Sequence, residues 1–232
     1  MKKINEISLF ASYSNSTKKR LIKKNSRTNI HNKLIASLKS KDFYDGKRKY
    51  GFGGYKYDGR WKKIAEIFVE KYKLNNKSKI LQINCDKGFL IYELKKILPH
   101  AKIIGIDRSR YSINNSKKEI KHLLKYHEDP YLKFKSKTFD TIIAIGYVYE
   151  FALFQIITAI KEINRVSKNN NNFITLGAYN KTRDLNLLKE WSLLGTTILK
   201  KKEWRYVLKF CNYKGDYEFI TAETLNLTVV KK

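Results

Sequence analysis

The sequence predicts an α/β protein built on a doubly wound, mostly parallel sheet with helices on both faces. Nearly continuous apolar runs, the mark of parallel strands buried on both faces, recur at Lys79–Ile83, Ile103–Asp107, Phe139–Ile145 and Asn172–Ala178. Segments with apolar residues at helical spacing lie between them, so strand and helix alternate from 79 to 178 and specify right-handed βαβ units. A glycine-bearing turn directly follows the first run, at the end of the strand where open α/β sheets bind ligands.

Residues 1–44 are expected to form a basic N-terminal arm or helical extension, and 45–232 the domain proper. The arm (STKKRLIKKNSRTNIHNKL) is polar and basic, with scattered Leu and Ile. Asp45–Gly59 (DGKRKYGFGGYKYDG) combines glycines that forbid regular structure with three tyrosines. Trp61, Ile64, Ile67, Phe68 and Tyr72 then form the stripe of an amphipathic helix. Further helices are expected at Phe89–Leu98, Tyr111–Lys125 and Phe151–Val166, the last followed by a polar turn, SKNNNN. Past residue 180, Leu185–Leu194 and Glu203–Phe210 read as helical. Tyr217–Ala222 and Leu225–Val230 read as an antiparallel C-terminal hairpin at the sheet edge.

With 232 residues, 42% hydrophobic and 13% aromatic, the chain can fill one sizeable core. No apolar run approaches the roughly 20 residues of a membrane helix. The start, MKKINEISLFASYS, has too short an apolar part for a signal peptide, so a cytoplasmic address is the expectation. Cys85 and Cys211 give neither zinc spacing nor a disulfide framework, and the four histidines show no metal spacing. Net charge is +28, with 49 Lys+Arg against 21 Asp+Glu. That balance suits a polyanion. Yet nine of the 49 are Arg and 40 are Lys, beside abundant Asn, Ile, Tyr and Phe, residues that share A/T-rich codons. Phosphate recognition in fixed geometry favours Arg. Composition bias therefore accounts for the charge better than a nucleic-acid surface.

The turn reads KILQINCDKG (Lys79–Gly88) and is followed by IIGID (Ile103–Asp107). Around it, in order, stand YDGRW (Tyr57–Trp61), Lys87–Phe89 with Glu93–Leu94, Phe139–Asp140, EINRV (Glu162–Val166) and GDYEFI (Gly215–Ile220). From about Gly53 to Ala222 this set resembles the class I S-adenosylmethionine-dependent methyltransferases, and within them a bacterial subgroup with YDGRW and GDYEFI segments. The resemblance implies a Rossmann-like fold, S-adenosylmethionine as cofactor and S-adenosylhomocysteine as product. The family's first turn is approximately acid-x-Gly-x-Gly-x-Gly. Here Gln82 stands at the acid, Asn84 and Asp86 at the first two glycines, and Gly88 at the third. Glycine permits positive φ and close approach of a ligand, and Asn is the least costly substitute in left-handed conformation. Asp86 either blocks the cofactor or supplies the carboxylate absent at Gln82.

The resemblance implies cofactor contacts at Gln82, Asn84, Cys85, Asp86, Gly88, Asp107, Arg108, Asp129 and Gly146. Asp107 would accept from the ribose hydroxyls, or else cap the following helix. Glu128 and Asp129 would lie near the adenine amino group, or else serve as turn acids before Pro130. The loop GYVYEF (Gly146–Phe151) would face the transferable methyl, with Glu150 or Tyr149 as general base. Tyr55, Tyr57, Asp58, Arg60 and Tyr147 are expected in a lid or acceptor pocket. The alternative for the first cluster is a structural cap, with Asp58 as helix N-cap and Trp61 packed, and for the loop that one or both of Tyr147 and Tyr149 pack in the core under a lid. Asp216 and Glu218 read as strand residues more readily than as acceptor ligands. The function implied is methyl transfer to a small molecule, on an oxygen of a sugar or cell-surface precursor. The alternatives are a non-catalytic member with an eroded turn, and an RNA methyltransferase using the basic stretch 17–28.

Overall fold

The computed structural model describes residues 5–10, 19–22 and 27–229. β1 (Asn5–Glu6), β2 (Arg20–Ile22), α1 (Ile30–Ser37), α2 (Lys41–Asp45) and α3 (Trp61–Lys71) lead into the alternating region. That region runs β3 (Lys79–Ile83), α4 (Phe89–Ile97), β4 (Lys102–Asp107), α5 (Arg110–Asn114), β5 (Leu124–Tyr126), β6 (Phe139–Ala144), α6 (Leu153–Val166) and β7 (Ser167–Tyr179). It closes with α7 (Thr182–Trp191), β8 (Leu199–Lys200), α8 (Lys201–Phe210), β9 (Asp216–Ile220) and β10 (Leu227–Val229).

The sheet order is β1-β9-β7-β6-β3-β4-β5, with β8 attached to β7. Its pairings are parallel. The order reverses between β3 and β6, and that reversal opens a crevice at the C-terminal strand ends. Ile156, Ala159, Ile160 and Ile163 of α6 pack with Trp204 and Leu208 of α8 in one core layer. Ile64 and Phe68 of α3 pack with Leu90, Ile91 and Leu94 of α4 in the other. Each Ile, Leu or Phe side chain so removed from water stabilises the fold by about 1.5–3 kcal/mol.

Four expectations change. Tyr217–Ala222 and Leu225–Val230 do not form an antiparallel hairpin: β9 lies parallel to β7, and β10 pairs in parallel with β2 in a separate two-stranded sheet. The crossover through α8 returns the chain to the same sheet end, and a turn at Thr221–Asn226, with Asn226 at φ +52°, carries it off the sheet. The helix expected over Tyr111–Lys125 stops at Asn114, continues as a 3₁₀ segment over Lys118–Leu123 and becomes β5. Asn115 Nδ2 and Ser116 Oγ bond back to the carbonyls of Tyr111 and Ile113, a local alternative that ends the helix. SKNNNN is the first part of β7, bulged against β6, with Asn170 at φ +56°.

The fourth change concerns the N-terminal residues. β1 extends the sheet beyond β9, and the backbone N–H groups of Leu9 and Phe10 donate to Glu218 at 2.8 and 3.1 Å. Phe43 and Tyr44 share a cluster with Tyr55 and Phe89, so the boundary expected at 44/45 runs through packed side chains. Of the basic stretch 17–28, residues 17–18 and 23–26 lie outside the described residues.

Candidate active site at the strand ends

Asn84, Asp86 and Gly88, in the turn after β3, have φ of +57°, +50° and +70°. The backbone thus takes the left-handed conformation at all three family glycine positions. The cost is about 1–2 kcal/mol at each non-glycine. Side-chain and backbone bonds offset it. Asn84 Nδ2 donates to the carbonyls of Ile145 and Gly146 at 3.1 and 3.2 Å, which ties this turn to the loop after β6. The Asp86 N–H donates to Asp107 Oδ2 at 2.7 Å, which ties it to the end of β4. Gly88 opens α4, and a Cβ there would lie 2.6 Å from Ile120 Cδ1. The one glycine retained serves helix packing.

Lys39 enters this turn from the N-terminal segment, 2% exposed. Its Nζ donates to Asn84 Oδ1 at 2.6 Å and lies 3.4 Å from Asp86 and 3.6 Å from Asp107. Burial pulls the ammonium's pKa down, but Asp107, Asp86 and Glu150 together carry it above its ordinary range. Lys39 is therefore charged. Asp86 also accepts from Tyr44 Oη at 2.7 Å, and burial raises its pKa against the pull of Lys39. The Asp86 carboxylate is answered by two residues of the N-terminal segment.

Two cavities open here. One, of about 310 Å³, is lined by Gln82, Asn84, Cys85, Asp86, Gly146, Tyr149 and Glu150, with an aromatic wall that includes Phe10, Phe52, Tyr55 and Trp61. The other, of about 300 Å³, is lined by Asp107, Arg108, His127, Glu128 and Tyr147. Asn84 and Glu150 line both and form the partition. Three buried polar atoms on the walls have no hydrogen-bond partner among the described residues: Gln82 Oε1 in the first cavity, His127 Nε2 and Tyr147 Oη in the second. Leaving such atoms unpaired costs about 1–3 kcal/mol each, a cost that a polar ligand removes.

Glu150 is the titratable group on the partition. It pairs with Arg108 at 3.4 Å, yet burial outweighs Lys39 and Arg108 and raises its pKa to about 7. That is the range in which a carboxylate works as a general base near neutral pH. Tyr149 is different. Burial and the nearby Glu150 push its pKa well up, so it stays a neutral phenol and can donate but not act as base.

Other expected site residues are dispersed. Tyr147 lies in the second cavity, edge-on to Phe151, and not in a lid. Asp129 caps the Tyr131 N–H at 2.8 Å and lines neither cavity; its neighbours His127 and Glu128 do. Tyr57 bonds Glu93, away from both cavities. Arg60 lines the first cavity, but Asp58 holds its guanidinium and is not the N-cap of α3. Asp216 is tied to Lys71 and Tyr72, and Glu218 to the N-terminal segment. Sequence reasoning missed Lys39, because a lysine in a lysine-rich segment carries no signal of burial. His127 stood close to the expected adenine acids and could have been found.

A family model described as a methyltransferase domain matches residues 74–212, more than half of the chain. Among solved structures, the YcgJ protein of Bacillus subtilis is similar with a TM-score of 0.52 at 14% identity, over 63% of this chain and 66% of that one. A protein assigned as a methyltransferase from Bacillus halodurans gives 0.51 at 14% identity, over 63% and 67%. This chain thus spans about two thirds of each of those proteins, and at such identity the likeness is one of fold. No curated protein matches. Among the described residues there is no metal-binding cluster, and no helix is long and apolar enough to cross a membrane. With the crevice at the strand reversal, the loops that line it and a family match across the whole alternating region, the chain belongs to the methyltransferase-domain family and has its Rossmann-like fold.

Proposed function

We propose that this protein transfers a methyl group from S-adenosylmethionine to an oxygen of a small-molecule acceptor, with Glu150 as general base. The observation that carries the reading is the pair of cavities meeting at Asn84 and Glu150, each with an unpartnered buried polar atom on its wall. A cofactor with an adenosine end and an amino-acid end suits such a pair. Asp107, His127, Glu128 and Tyr147 would hold the adenosine portion, and Gln82, Asn84, Asp86 and Gly146 the methionine portion. Gln82 offers its free oxygen to an ammonium without adding charge.

Asp107 already accepts from the N–H groups of Asp86 and Ser109, at 2.7 and 2.8 Å. A carboxylate has about four lone-pair sites, so each oxygen keeps one for a ribose hydroxyl once Lys39 swings toward Asp86 and Glu150. Bound S-adenosylmethionine supplies an already activated methyl group. The protein's tasks are alignment, exclusion of water and removal of one proton. The aromatic wall excludes water. Glu150 takes the acceptor proton, and Arg108 beside it stabilises the carboxylate beforehand.

Lys39 also supports a second reading, in which the buried ammonium fills the place of the cofactor's own cationic group, S-adenosylmethionine is excluded and the fold is retained without catalysis. Ultraviolet crosslinking with labelled S-adenosylmethionine distinguishes the two. The first reading expects label on peptides carrying Tyr147, Tyr149 or Phe151, and its loss with excess S-adenosylhomocysteine. Absence of label, or label indifferent to that competitor, would sink it.

A further inference from the structure

Three of the nine arginines converge on one ring. The guanidinium carbons of Arg20, Arg27 and Arg48 lie 5.4, 4.6 and 5.4 Å from the centroid of Trp191. In a chain with 40 lysines this grouping of the rarer cation is not explained by composition. Each guanidinium is held by backbone carbonyls alone. Arg27 donates to Gly51 at 3.0 Å, Arg48 to Gly51 at 2.5 Å and to Phe52 at 3.2 Å, and Arg20 to Leu225 at 3.2 Å. None of the three pairs with a carboxylate among the described residues. Arg27 Nε is buried with no partner there.

Like charges so arranged repel. Burial and Arg48 bring the Arg27 pKa down to about 10, and burial and Arg20 lower that of Arg48. Trp191 offsets part of this through its ring face, but it cannot supply a counter-charge. The elements involved are β2, the segment before α1, the turn after α2 and the end of α7, none of which needs a charge cluster for packing. Arg20 also lines the aromatic cavity that contains Gln82, Tyr149 and Glu150. The cluster therefore adjoins the acceptor side of the crevice.

We propose that Arg20, Arg27 and Arg48 on Trp191 form a phosphate-binding site, and that the acceptor is a phosphorylated small molecule whose phosphate or diphosphate docks there. This deepens the methyltransferase reading and rests on it for the word acceptor. The planar forks of Arg match phosphate oxygens in bidentate fashion, and three of them suit a group of charge near −2. A neutral sugar would leave the cluster uncompensated. A monocarboxylate would answer only part of it.

The test is calorimetric titration of the whole protein with pyrophosphate, inorganic phosphate and acetate at fixed ionic strength. Pyrophosphate is expected to bind at submillimolar concentration, phosphate more weakly and acetate weakest. Arg48→Gln should weaken pyrophosphate at least tenfold. Arg48→Lys, which keeps the charge and loses the fork, should lose several-fold. Because the net charge is +28, Lys63→Gln, an exposed change on α3, serves as the control and should alter affinity less than twofold. Equal loss in Lys63→Gln and Arg48→Gln would overturn the proposal, as would absence of pyrophosphate binding or preference for acetate. Arg48 is more exposed than Arg27, so its variants keep the test valid should an Arg27 variant fail to fold. S-adenosylhomocysteine titrated separately into the unaltered protein reports on the cofactor site. Its failure to bind would remove the methyltransferase reading and leave the phosphate result standing.

Discussion

Lys39 and Glu150 decide most of the chemistry at the scale of single residues. Lys39 compensates Asp86, Asp107 and, at longer range, Glu150. Removing one partner of a buried ion pair typically costs about 3–5 kcal/mol, because it strands the other charge. Lys39→Met is expected to lose stability in that range by urea denaturation at pH 8, and Asp86→Asn in the same background should recover part of it. A loss below ~1 kcal/mol would mean the ammonium is not compensating those acids. Glu150 has its folded pKa raised, so the folded state holds the extra proton between about pH 4.5 and 7. Stability contributed by this group is then present at low pH and falls as pH rises through that window, by on the order of 1–3 kcal/mol. Glu150→Gln should flatten the slope. It should also lower methyl transfer by about 10²–10⁴-fold and remove a rate limb that climbs through pH 7, leaving S-adenosylhomocysteine affinity nearly intact. An unchanged pH–rate profile in Glu150→Gln would remove this residue from the role of base.

Among the elements, the turn after β3 and the N-terminal segment form one construction. Asn84 and Asp86 keep the backbone shape that glycine would give, and the segment carrying Lys39 and Tyr44 satisfies the side chains this introduces. Gly88→Ala tests the one glycine that remains. With φ at +70° and Ile120 Cδ1 2.6 Å from the added Cβ, it should destabilise by about 2 kcal/mol or more, read from the denaturation midpoint. Deleting residues 1–10 removes β1 and takes Phe10 off the cavity wall, and leaves Glu218 buried without the N–H groups of Leu9 and Phe10. The truncated protein is expected to melt several degrees lower. An unaltered melting curve would show that β1 adds nothing.

For the molecule as a whole, what was legible in the sequence is what depends on periodicity and order. The runs at Lys79–Ile83, Ile103–Asp107 and Phe139–Ile145 announced a parallel sheet because strands buried on both faces have no polar alternation. The family resemblance pointed to Asp107 and to the loop from Gly146, and both line the cavities at the strand ends. The late strands were misjudged, since an antiparallel hairpin and two parallel additions to different sheets have the same local pattern. What distinguishes them is the partner, β7 for one and β2 for the other, and partners are set by tertiary contacts. Lys39 and the arginines around Trp191 were hidden for a related reason. Each sits in a segment whose composition looks like solvent-facing charge, and only the fold buries Lys39 and gathers the arginines on one ring.

The proposed function requires that the altered turn, Lys39 included, still forms a cofactor site. Calorimetric titration of the unaltered protein with S-adenosylhomocysteine and S-adenosylmethionine tests it most directly. Saturable binding of both is expected, with one site per chain, weakened at least tenfold by Asp107→Ala. No heat of binding at millimolar ligand, or binding that Asp107→Ala leaves untouched, would contradict it.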